Sequence, residues 1–188
     1  DGKKWLRPVP RKPFIAATYD WNRAWSSCAS NGPIFVNEQM VFYFGGRWVS
    51  HHYDSAQQHG VIGFASLPLD RFCAIEATTG GQLDIIPLRW PGGDLVLNAD
   101  TRVAFTSHPL ALDGEIAVEA LDAAGRPLPA WSGKKRAVFR GNTHCRAQIG
   151  DGAVRWPGGV GLEKLRGRVI RLRFHLKHAR LFTIEGKI

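Results

Sequence analysis

Cysteine is scarce in this sequence of 188 residues, and the three present, Cys28, Cys73 and Cys145, stand far apart. No two of them have Cys-x-x-Cys spacing, which excludes that zinc or redox motif and leaves room for at most one disulfide. Buried free thiols are the expected state. Long hydrophobic runs are also missing: no stretch approaches the roughly 18 consecutive apolar residues of a membrane span, and Asp1-Gly-Lys-Lys-Trp5 has no signal-peptide core. Helices have little space, because 11 prolines and 21 glycines recur too often for an amphipathic helix of ten residues. Only Gly161 to Leu165 suggests a brief helical turn. No Gly-rich phosphate loop, nucleophile elbow or cluster of metal ligands is present, so neither a metal nor a cofactor is expected.

Acidic residues are outnumbered, 16 against 25 Lys and Arg, which leaves a net charge of +9. A nucleic acid, an anionic polysaccharide or plain solvent could balance such a surplus. The basic residues are spread out, with small clusters at Lys134-Lys-Arg136 and Arg166 to Arg173 and no long run. That distribution fits a solvated surface, and no motif supports a nucleic-acid partner.

What the sequence does hold is short apolar runs bounded by Gly, Pro, Asn or Asp, the pattern of an all-β chain. The most telling is Met40 to Phe44, apolar at every position. A strand of that kind needs cover on both faces, as adjacent blades provide in a β-propeller. A seam near residue 70 divides the chain into residues 1–71, rich in aromatics, and residues 72–188, where strands become two-faced. In Arg168 to Lys177 the apolar Ile170, Leu172, Phe174 and Leu176 alternate with Arg171, Arg173, His175 and Lys177. One face in a core and one in water is the signature of a two-sheet antiparallel β-sandwich. Lys177 to Arg180 is read as the turn of a C-terminal hairpin leading into Leu181 to Ile184. Trp-Pro-Gly-Gly occurs at Trp90 and again at Trp156, and both copies read as turns, although their tryptophans, with Trp131, could also stack on sugar.

The order of several segments carries a resemblance. Asp1-Gly-x-x-Trp5-x-Arg7-Pro8, Arg11-x-Pro13-Phe14-Ile15, Asp20-Trp21-Asn22, Phe42-Tyr-Phe-Gly-Gly-Arg47 and Ile62-Gly-Phe-Ala-Ser-Leu67 resemble the last part of a five-bladed propeller related to glycoside hydrolase families 32 and 43. Gly114-Glu-Ile-x-Val-Glu-x-Leu-Asp122 and Val169-x-Arg171-Leu-Arg-Phe-x-Leu176 resemble the β-sandwich that follows it. The resemblance implies a partial propeller, its terminal blade, followed by the sandwich, in a secreted or periplasmic glycosidase. It also implies a carbohydrate substrate, with the catalytic carboxylates and remaining blades supplied by an upstream segment or a second chain. The catalytic residues are therefore unknown from this sequence, and the isolated chain is expected to be inactive. The alternative is a non-catalytic module that meets acidic polysaccharide through Arg171, Arg173, His175 and Lys177.

Candidate substrate-binding residues fall on two loops. Trp21 could stack on a sugar ring while Asp20 or Asn22 binds hydroxyls, though the same residues suit a turn with a core aromatic. Arg47, His51 and His52 follow the Phe42 to Gly46 strand at a position suited to a pocket rim. Adjacent histidines on an extended strand point to opposite faces, so one of the two could meet a ligand. A zinc site there would have only His59 as a nearby third ligand.

Overall fold

The computed structural model describes residues 13–27, 32–50, 60–102, 114–143 and 153–186. The described chain is all-β, with thirteen strands and four short 3-10 turns. Among the described residues no helix is long and apolar enough to cross a membrane, which says nothing of strands that cross one. The chain divides into two compact units, Asp1–Pro68 and Leu69–Ile188.

In the first unit β1 (Trp25–Ser26), β2 (Ile34–Val36), β3 (Gln39–Arg47) and β4 (Gly60–Pro68) form one antiparallel sheet. β3 is its axis: β4 pairs along one side for its full length, while β1 and β2 share the other side at opposite ends. A tight turn at Asn37 and Glu38, with φ of 46° and 60°, joins β2 to β3. Strand alternation sorts the apolar residues of β3 by face. Met40 and Phe44 are buried, and Phe42 meets Phe14 edge-on at 5.5 Å. Over the same face lies Trp21, 5.5 Å from Phe44 and stacked at 6.1 Å on Tyr19. The indole has room because Gly46 and Gly63 have no side chain: a Cβ on either would collide with it. The opposite face has no such cover among the described residues. There Tyr43 is 47% exposed, Phe64 66% and Ile62 81%, and Tyr43 and Phe64 are paired across the strands with rings 6.3 Å apart. The double cover expected for Met40 to Phe44 is thus met on one face of the described sheet only.

The second unit contains two antiparallel sheets. One has the order β10-β9-β12-β6, with β7 also on β12; the other is β11-β8-β13-β5. The strands are β5 (Ile75–Ala77), β6 (Gly81–Asp84), β7 (Leu88–Arg89), β8 (Leu95–Asp100), β9 (Glu115–Asp122), β10 (Ala137–Phe139), β11 (Asn142–Thr143), β12 (Val169–Lys177) and β13 (Ala179–Gly186). Both sheets feed one hydrophobic core, with Leu95, Leu97 and Leu181 from one and Ile116, Val118, Ile170, Leu172 and Phe174 from the other. The alternation read in β12 places Ile170, Leu172, Phe174 and Leu176 inside.

The expected C-terminal hairpin is not formed. β12 pairs with β6, β7 and β9, whereas β13 pairs with β5 and β8. His178, with φ of 43°, turns a corner from one sheet into the other. The cause is that both edges of β12 are already taken, by β9 on one side and by β6 and β7 on the other, so β13 pairs in the opposite sheet, and Leu176 before the corner and Ala179 after it both reach the shared core. β8 is buried on both sides, and the side-chain nitrogen and oxygen of its polar Asn98 each have a partner there. Asn98 Nδ2 donates to the Leu69 carbonyl at 2.8 Å, and its Oδ1 accepts from Arg71 Nε at 2.9 Å. The same guanidinium donates to the carbonyls of Ala99 and Thr143 and to the Asn142 side chain, and lies 4.6 Å from the centre of the Phe182 ring.

Candidate functional site

The register of the first sheet builds an open cleft. Trp25 pairs with Arg47 and Ser26 with Gly46 on one side of β3, while Gly60, Val61 and Ile62 pair with Arg47, Gly46 and Gly45 on the other. Glycine at 45 and 60 withholds side chains on this face where the strands meet, leaving about 270 Å³ lined by Trp25, Ser27, Arg47, Val61, Ile62 and the backbone of Gly45, Gly46 and Gly60. The Arg47 guanidinium lies 5.2 Å from the centre of the Trp25 ring. Ser27 Oγ accepts from the Gly45 amide at 3.0 Å, fixing the wall.

With the guanidinium lying over the indole, an aromatic surface and a rigid donor fork share one wall, groups of the kind that meet polar rings through C–H contact and through hydroxyl or carboxylate oxygens. The volume sits near the lower end of small-ligand pockets, about 300 Å³, so it suits one ring rather than a chain of them. None of the described lining residues is a carboxylate, and acid–base cleavage of a glycosidic bond needs two.

Of the residues singled out from sequence, Arg47 lines this cleft. Asp20 is exposed at the start of the 3-10 turn Asp20–Asn22. Trp21 covers the other face of the sheet, in its glycine seat. Asn22 is 1% exposed, and its side chain is taken up by the loop itself. It accepts from the Tyr19 amide at 2.9 Å and donates to the Ala16 carbonyl and Ser26 Oγ, each at 3.2 Å. His51 and His52 lie outside the described residues. Trp25 escaped the sequence reading. Its signal is the pairing that sets it opposite Arg47, and a strand of two residues is too short to show any periodicity.

The basic face of β12 is interleaved with acids. Arg173 is held in a two-pronged pair by Asp84, both contacts at 2.7 Å, His175 Nε2 lies 2.9 Å from Glu119, and Arg171 donates to the Ala123 carbonyl. The Arg173 hydrogen bond draws the Asp84 carboxyl below its usual range. Burial pushes Glu119 upward, yet hydrogen bonds from His175 and the Gly133 amide outweigh it and leave the group lowered. Trp90 and Trp156 are core residues at 3% and 4% exposure, not open platforms. Trp131 packs against that core and donates to the Gly161 carbonyl. Cys73 is free and exposed, contrary to the expectation of a buried thiol. Among the described residues no group of three His, Cys, Asp or Glu could hold a metal ion. Comparison with protein-family models, with curated proteins and with solved structures finds no match for this chain.

Proposed function

We propose that this chain is the C-terminal portion of a secreted or periplasmic propeller glycosidase. The first unit is its terminal blade and the second a β-sandwich. The observation that carries the reading is the open apolar face of the first sheet, with Tyr43, Phe64 and Ile62 uncovered among the described residues. Exposed apolar surface of that kind is costly in water and marks a packing partner; a blade of a wheel has one on each side. The cleft gives the reading a role in binding: Arg47 and Trp25 hold a sugar ring of the substrate, and the carboxylates that break the bond come from the blades outside this chain. Two antiparallel sheets around one core support the sandwich assignment of the second unit.

The test is reconstitution. The isolated chain is expected to show no activity on a panel of aryl glycosides, and co-expression with the segment or polypeptide carrying the other blades is expected to give an active assembly. Hydrolysis by the purified chain alone would overturn the division of labour. The module for acidic polysaccharide has less support, because Arg173 and His175 are already matched by Asp84 and Glu119.

A further inference from the structure

Sheet edges in the described chain differ sharply in how they are protected. β10, β11, β5 and β6 border the sheets of the second unit. They are two to four residues long, and β5 and β6 carry Glu76 and Asp84. In the first unit β1 and β2 are similarly short. β4 is the exception. Gly60-Val-Ile-Gly-Phe-Ala-Ser-Leu-Pro68 runs nine residues, pairs with β3 without a register shift, and holds no charged residue and no proline before its last position. Among the described strands nothing pairs with its other edge. Edges of this length are ordinarily blunted by charge, proline or a bulge, since an open row of N–H and C=O groups recruits another strand.

We propose that this edge is a dimer interface, in which β4 of one chain pairs antiparallel with β4 of a second copy about a two-fold axis at Phe64. The strand is self-complementary in that register, as a two-fold interface requires. Phe64 then faces its own counterpart, Ile62 faces Ser66, Val61 faces Leu67, and no like charges are opposed. Edge pairing leaves the sheet faces open to stacking. The inference therefore goes beyond the propeller reading, and either can fail without the other.

Sedimentation equilibrium of the 188-residue chain is expected to give twice the chain mass. Phe64→Lys and Phe64→Glu each place like charges on the axis at a residue that is 66% exposed, so both fold. Each is expected to weaken dimerisation at least tenfold, and an equimolar mixture of the two restores it. Crosslinking fixes the register in a background with the three native cysteines replaced by Ser. Phe64→Cys joins to itself, because directly opposed Cβ atoms lie about 5 Å apart. Ile62→Cys joins to Ser66→Cys but not to itself, since two copies of residue 62 are on the order of 14 Å apart along the strands. A chain that is monomeric in sedimentation, or a mixture of charge variants that fails to recover, overturns the proposal. So does Ile62→Cys crosslinking to itself.

Discussion

At the scale of single residues, Trp21 and the two glycines beneath it form a lock whose parts are far apart in sequence. Gly63→Ala places a methyl group inside the indole ring, and overpacking of this kind costs about 1–3 kcal/mol. Replacing Trp21 with Ala removes the obstacle along with its contacts to Phe44 and Tyr19. The double variant is therefore expected to be less destabilised than the sum of the two single changes, a coupling that urea unfolding of the chain would reveal. Additive effects would show that the glycine is needed for another reason. Asn22 presents a similar case: its carboxamide ties three partners inside the loop, so Asn22→Ala is expected to cost about 1–3 kcal/mol through stranded polar groups. Neither role was legible from composition. Asp20, Trp21 and Asn22 look alike as candidates in sequence, and only the fold separates an exposed carboxylate from a packed indole and a buried amide.

At the scale of elements, the start of the second unit is fastened by one side chain. Arg71 reaches β8 through Asn98 and Ala99 and β11 through Asn142 and Thr143 while lying over Phe182 of β13. An ammonium cannot copy a planar fork with several acceptors and a ring against its face. Arg71→Lys is expected to destabilise the second unit by about 1–3 kcal/mol, measured by thermal or urea unfolding; a neutral result would mean the clamp is redundant. The outer face of β12 makes a prediction about pH. The carboxyls of Asp84 and Glu119 are lowered in the folded chain. Their contribution is therefore complete above the unfolded carboxylate range near pH 4 and is lost as pH falls through the lower folded values. The melting temperature should hold level at neutral pH and decline below about 4, with Asp84→Asn shallower in that decline; an unchanged slope in the variant would remove Asp84 from the cause.

Elements also show where sequence reading succeeds. The alternation in β12 is visible because one face meets the core and the other meets water, and the structure buries the residues that the pattern selects. The break between β12 and β13 is not visible, since a tight turn looks the same whether the next strand lies beside the last or across the core from it. The Trp25 and Arg47 wall is hidden for a related reason. Pairing brings together residues separated by a long stretch of chain, and nothing in either local segment records it.

At the scale of the whole molecule, the face of the first sheet that is open among the described residues makes a prediction about behaviour in solution. Ile62→Glu with Phe64→Glu is expected to make the isolated chain more soluble by putting charge where apolar side chains now meet water. The same pair of changes should abolish assembly with the remaining blades under the propeller reading. Pull-down of the co-expressed segment checks it, and undiminished capture by the double variant would move the blade contact to another surface.

The corner at His178 reaches beyond packing into biosynthesis. β12 stands in the interior of one sheet and β13 in the interior of the other, yet they are the last two of the described strands to leave the ribosome. Until both emerge, β8 and β9 have no central neighbour, and their apolar surfaces wait unpaired in the nascent chain. The second unit must therefore fold after its synthesis is nearly finished, in one late step, with its earlier strands exposed meanwhile to the association that threatens slow β-proteins.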